Sequence, residues 1–242
     1  RCDYLFKRFS IIAVIGLFCI SLSACRTDPG QSLRAVNPKY NSDELADKDY
    51  SNSWNVVQNY IDKDIFLKTL VVDRRIANDD GFLHFYLSEN GQYENHNFYW
   101  YEDPITNNFQ IIPWDLDNAF ENLVVDTNPV TPIKDNWYEI SNNCLGFNYG
   151  MFNLMQKSAA CDKIIGSFKE FVDSYYQIDS VFTNTLFNTQ KINTLLDAWS
   201  DQIRSSVIDA NEKYINKEPS EQVWLSSLNN FKNLINLSLQ NN

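Results

Sequence analysis

Glycine is scarce in this 242-residue sequence, with seven in all. Past residue 25 the glycines fall at 30, 81, 91, 146, 150 and 166, and no two are placed to build a glycine-rich phosphate loop. Histidine is scarcer still: there are two, and no Cys/His spacing suits a zinc site. Basic residues are outnumbered, 20 Lys and Arg against 31 Asp and Glu, for a net charge of −11. An acidic surface repels phosphate backbones, which argues against a nucleic acid partner. There is no internal repeat, and the only compositional bias is toward Asn.

Long apolar runs are also absent. The stretch Ile11 to Leu22 is too short to stay in a bilayer as a spanning helix. It follows Arg1, Lys7 and Arg8 and ends in Leu22-Ser23-Ala24-Cys25. A basic start, an apolar middle and small residues before a cysteine form a signal peptide over 1–24, with Cys25 placed like the lipidated residue of a bacterial lipoprotein. The sequence starts at Arg1 rather than Met, so a short preceding piece is expected. Residues 1–24 carry +2, which leaves −13 for 25–242. That charge suits anionic headgroups poorly, so a multiply acylated Cys25 would have to do the anchoring. The expected location is the bacterial cell envelope, periplasmic or at the cell surface.

Of five cysteines, Cys2 and Cys19 leave with the signal and Cys25 is the lipid site. Cys144 and Cys161 remain. In an exported chain they either pair or sit as two buried thiols, and spacing leaves both readings open.

Residues 25–53 are polar and broken by Asp28-Pro29-Gly30 and Asn37-Pro38, which reads as a tether. Residues 54–242 are long enough for one domain with a real core. Trp54 to Tyr60 reads as a short helix. Asp62 or Asp64 then caps a longer one with Ile65, Phe66, Leu70, Val72 and Ile76 at near-helical spacing, and Arg74 and Arg75 near its end suit the macrodipole. The segments 147–160, 162–176, 188–215 and 219–239 all show apolar residues three and four apart, so four more helices are expected. In the last of these, Trp224, Leu228, Phe231 and Ile235 make one stripe. The irregular stretch 121–146 between the two halves reads as a surface loop.

Both histidines and a dense acidic set lie between Ile76 and Phe120. Phe98-Tyr-Trp-Tyr101 and Phe109-Gln-Ile-Ile112 are aromatic and β-branched runs, and Asp103, Pro104, Asn107 and Asn108 between them supply turn chemistry. A β-hairpin follows. Centred on Thr106, it sets Asn97 opposite Asp115, roughly 5 Å apart at Cα. An amide oxygen and a carboxylate then meet at one end of a ribbon, with Asp117 two residues on and Asp79 and Asp80 just upstream. Oxygen-only ligands suit Mg²⁺ or Mn²⁺ carrying a phosphate. The same residues also favour turns and hairpin ends with no ligand at all. His96 reads as a hydrogen-bonded neighbour of this set. His84 reads as packed, and Trp100, Tyr101 and Trp114 as core.

Four motifs carry a resemblance: Asn78-Asp-Asp-Gly81, His96-Asn97 before an aromatic strand, Tyr101-Glu-Asp-Pro104, and Ile112-Pro-Trp-Asp-Leu-Asp117. Together they resemble the spore-coat-protein-H-like (CotH) kinases, an atypical protein-kinase-like family. The resemblance covers roughly residues 54–240. It implies an α+β, mostly helical fold like a kinase C-terminal lobe with a central β-hairpin. By the same resemblance Asp80 orients the attacking hydroxyl, Asn97 and Asp115 bind the metal, and Asp117 is a further metal carboxylate. It implies ATP with Mg²⁺ or Mn²⁺, and a protein substrate. Two departures stand out. The interval from Asp80 to Asn97 is 17 residues, where protein kinases have five, so 82–94 reads as an excursion. No Gly-rich loop or strand Lys for the α- and β-phosphates is found. The alternative is therefore a non-catalytic, kinase-like binding lipoprotein. A third class, a sugar-nucleotide transferase using Asp115-x-Asp117, predicts alternating strands and helices upstream, which the polar lead-in does not supply.

Overall fold

The computed structural model describes residues 53–78, 80–120, 137–140, 142–149, 154–215 and 217–240, the side chains of Asp117, Asn142 and Tyr149 excepted. The expected signal peptide 1–24, Cys25, the expected tether up to residue 52, Asp79 and most of the expected loop 121–146 lie outside these residues. They fall into two compact units, one with its described part in 53–180 and one in 181–240. Among the described residues, no helix is long and apolar enough to cross a membrane. The fold is α+β and mostly helical.

The first unit opens with helix α1 (Ser53–Val57) and helix α2 (Lys63–Arg75). Asp62 caps α2, its carboxylate accepting from the Ile65 N–H at 2.9 Å, and Arg74 and Arg75 close the last turn. The spacing of Phe66, Leu67, Leu70 and Val71 gives α2 one apolar face, and all four are buried. Phe66 stacks on Phe168 at 4.1 Å, and Trp54 meets Phe168 edge-on at 5.2 Å. These rings anchor the core. Arg75 forms a two-pronged buried ion pair with Asp179, at 2.6 and 2.5 Å.

Two sheets follow. Strands β1 (Phe85–Leu87), β2 (Tyr93–Glu94), β5 (Phe147–Tyr149) and β6 (Leu154–Lys157) form an antiparallel sheet in the order β2-β1-β6-β5. Strands β3 (Phe98–Glu102) and β4 (Phe109–Pro113) form a separate two-stranded hairpin. The expected excursion 82–94 is thus a strand–turn–strand. The helix expected over 147–160 is instead β5, β6 and the short 3₁₀ turn Ala159–Cys161. The free edge of β1 pairs with β6 and overrides the local helical spacing. A disulfide joins Cys144 to Cys161, with Cα atoms 5.6 Å apart. It is the pairing reading, of the two left open, that the structure shows.

The stretch expected as one helix over 162–176 is broken. Helix α3 (Lys163–Ser167) is capped by Asp162, a 3₁₀ turn spans Lys169–Phe171, and helix α4 runs Val172–Thr185. In the second unit, α5 (Thr189–Lys213) is capped by Asn188 and buries Ile192, Leu196, Ser200 and Val207 on one face. Helix α6 (Glu221–Gln240) runs antiparallel to it. Thr189 bonds Asn236 at 2.9 Å, Lys232 pairs with Asp197, and Arg204 meets Glu221 at 2.5 Å. Both helices follow the expected segments closely.

Candidate functional site

The site is built on the end of α2. Asp73, almost fully buried, accepts from the Asn78 side-chain nitrogen at 2.8 Å and from Arg74 at 2.6 Å. Arg74 also donates to the Asn78 carbonyl at 2.9 Å. Burial raises the Asp73 pKa, and Arg74 and Asn78 oppose that rise. These bonds fold the helix end back on itself, with Ala77 at a φ of 48°. Gly81 closes the loop. A Cβ there would lie 2.3 Å from the Asn78 side-chain nitrogen, so only glycine fits this approach.

The loop presents Asp80. Its Oδ1 lies 2.8 Å from His96 Nε2. Its Oδ2 accepts from Asn118 Nδ2 at 3.0 Å and from Asn97 Nδ2 at 3.2 Å. Asn97 Nδ2 also donates to the Asp80 backbone carbonyl at 2.7 Å. The bond from Asp80 raises the His96 pKa against the lowering effect of burial, and the charges of Asp80 and Asp115 add to the rise. Asp115 is therefore near enough to be felt at the same imidazole.

Asn97 and Asp115 flank the hairpin, and both are left-handed, with φ of 60° and 54°. Non-glycine residues in that region are uncommon, Asn and Asp are the ones that tolerate it, and such residues concentrate at functional sites. The hairpin register differs from the expected one. Phe98 pairs with Pro113 and Glu102 with Phe109, so the centre lies between Ile105 and Thr106. Asn97 then faces Trp114, whose N–H donates to the Asn97 carbonyl at 2.9 Å. Asp115 stands one residue beyond that opposition. The reason lies in the loop. Asp103 N–H donates to the Asn108 carbonyl, and Asn107, itself left-handed, donates to the Asp103 carbonyl at 2.7 Å. This closes an even, six-residue connection in place of the odd one that the sequence pattern predicts.

The register also decides which side chains are wet. Tyr99 and Trp114 are each about half exposed, with rings 6.3 Å apart, so Trp114 is not core. Phe98 and Trp100 face inward, Phe98 toward Phe82 at 6.3 Å. His84 is packed, as expected. Burial lowers its pKa to about 4, and its Nδ1 lies 2.8 Å from the Tyr86 hydroxyl.

Asp115 precedes a 3₁₀ turn, Leu116–Asn118, which contains Asp117; the side chain of Asp117 lies outside the described set. Ala119 and Phe120 are fully buried, and the Phe120 N–H donates to the Ile76 carbonyl at 2.7 Å. Among the described residues no three His, Cys, Asp or Glu side chains are grouped closely enough to cage a metal. Mg²⁺ does not need such a cage, because it takes one or two carboxylates and completes its shell with water and substrate phosphates. The Asn97 amide oxygen and the Asp115 carboxylate are a donor set of that kind. Asn118 was missed by sequence reasoning. Nothing local in the sequence signals it, because only the fold brings it back to Asp80.

An α+β, mostly helical fold with an oxygen-rich acidic loop held against a hairpin defines the class of site. The family model described as CotH kinase protein matches residues 40–241, and the chain belongs to that family. No curated protein and no solved structure matches this chain.

Proposed function

We propose that the chain is a phosphotransferase that moves a phosphoryl group from a Mg²⁺- or Mn²⁺-bound nucleotide to a protein hydroxyl. The observation that carries this reading is the Asp80 carboxylate, held by His96, Asn97 and Asn118 beside Asp115. Family membership supports a kinase-like chemistry.

In this reading Asp80 receives the acceptor hydroxyl. A carboxylate offers about four lone-pair sites. Among the described residues three nitrogens meet Asp80, one at Oδ1 and two at Oδ2. Oδ1 thus keeps room to accept the hydroxyl proton as the oxygen becomes a nucleophile. Asn97 turns its nitrogen to Asp80, so its amide oxygen and the Asp115 carboxylate would be the groups to hold a divalent ion. A bound divalent ion would supply charge neutralisation on the transferring phosphate. In the same reading Asp117 would be a further metal carboxylate and Cys25 a lipid anchor at the bacterial envelope.

A second reading, a non-catalytic binding module on the same tether, is favoured by one feature. From Ile76 to Ile133 the sequence has ten Asp and Glu and no Lys or Arg. A stretch this acidic repels a bare nucleotide, and Arg74 at the loop is already engaged by Asp73 and the Asn78 carbonyl, which suits a module that binds some other partner.

Calorimetry of Mn²⁺ binding, with and without ATP, separates the two readings. The phosphotransferase reading expects binding that tightens with ATP and is lost in Asp115→Ala. Absence of binding in the folded wild-type protein would leave the binding module.

A further inference from the structure

We infer that Asn118 is a positioning residue that ties the Asp115 turn to the Asp80 loop, so that the metal-binding and hydroxyl-orienting carboxylates move as one unit. This rests on the phosphotransferase reading for its purpose, though not for its geometry.

Asp80 and Asp115 sit on segments that meet only through folding. Asn118 Nδ2 reaches Asp80 Oδ2 across 38 residues, at 3.0 Å. A 3₁₀ turn is tight, with three residues per turn, so the chain from Asp115 to Asn118 is short and stiff. Asp115 stands at the cap of the turn and Asn118 is its last residue, so one short turn carries both. Two residues later the Phe120 N–H holds the Ile76 carbonyl, just ahead of the Asn78–Gly81 loop. The short piece 115–120 is therefore fastened at two points to the segment that carries Asp80.

Backbone strain marks the same piece. Asp115 and Phe120 are both left-handed, at 54° and 64°, and Ala77 opposite them is left-handed as well. A buried phenylalanine with positive φ persists only where its surroundings over-determine it. Asn118 lies between the two strained positions. Its side-chain nitrogen shares Oδ2 with Asn97, so it also limits how the Asp80 carboxylate turns under the Asn97 amide. Partners that orient metal ligands from behind have large effects on affinity when removed.

The test uses the full chain with Asn118→Ala and Asn118→Leu. Leucine nearly matches asparagine in shape but donates no hydrogen bond, so it restores a packing role and not a positioning one. Side-chain amide signals of Asn97 are followed by NMR, with the backbone amides of α2 and α3, which belong to the same unit as the site, as the control for folding. Both variants should move the Asn97 pair and leave the helices unchanged. Both should weaken Mn²⁺ binding about tenfold. An Asn97 pair that stays in place, or that Leu returns to its wild-type position, overturns the proposal. Should both variants unfold, the reverse change decides: in Asp80→Ala the Asn118 amide pair must move, and an unmoved pair overturns the tie. A wild-type protein that binds no Mn²⁺ sinks the phosphotransferase reading, while the amide signals still decide the tie.

Discussion

The side-chain nitrogen of Asn97 lies 2.7 Å from the backbone carbonyl of Asp80 and 3.2 Å from its carboxylate. One amide group thus holds both the backbone and the side chain of a residue 17 positions earlier. Replacing that nitrogen by oxygen keeps the shape and turns two attractions into repulsions. Asn97→Asp should destabilise the fold by about 1–3 kcal/mol, read from urea denaturation midpoints. A midpoint equal to wild type would show that the amide does not hold the loop.

Asp115 behaves in the opposite way. Its left-handed backbone is costly for an L-residue by roughly 1 kcal/mol and costs glycine nothing. Asp115→Gly relieves that strain while losing the carboxylate, so it should remove Mn²⁺ binding with a stability change of no more than about 1 kcal/mol. A large loss of stability would mean that the carboxylate serves the fold and not a ligand.

His84 sets an acid limit. Its folded pKa is lowered to about 4, while the unfolded chain titrates near the ordinary 6.5. Above that value both states are neutral and His84 contributes nothing. As pH falls from 6.5 toward 4 the unfolded state takes up the proton first. Stability is lost progressively across that window, by about 3 kcal/mol in all. In His84→Gln this part of the pH dependence should be missing. The comparison is made by urea melts at pH 7 and 4.5 on both proteins.

The Cys144–Cys161 disulfide closes a short loop across the β5–β6 pair. Its loss, by reduction or by Cys161→Ser, should lower stability by about 3 kcal/mol. Equal unfolding midpoints with and without reductant would contradict this.

The second unit and the hairpin were legible in the sequence for physical reasons. Asn188 and Asp62 are short polar caps before long periodic runs, and local energetics dominate there. Phe98–Glu102 and Phe109–Pro113 announce themselves by aromatic and β-branched content. The sheet β2-β1-β6-β5 did not. Its strands are two to four residues long, and β6 pairs with β1 across some seventy residues of sequence, so pairing and not propensity decides them. The register slipped by one because turn closure by Asn107 and Asp103 depends on backbone angles that composition does not give. At the site, Asp80, Asn97 and Asp115 are carried by short motifs. His96 needed only its neighbour. Asn118 required the fold, since nothing local says that a residue after the hairpin will reach back to Asp80.

The wet face of the hairpin has a practical side. Trp114 is half exposed and is bonded directly to Asp115, while Trp137 and Trp224 are buried. The chain thus carries its own optical reporter at the place where a ligand is expected. A paramagnetic ion arriving beside Asp115 would quench the adjacent Trp114, so part of the tryptophan emission reports the occupancy of the site without a label.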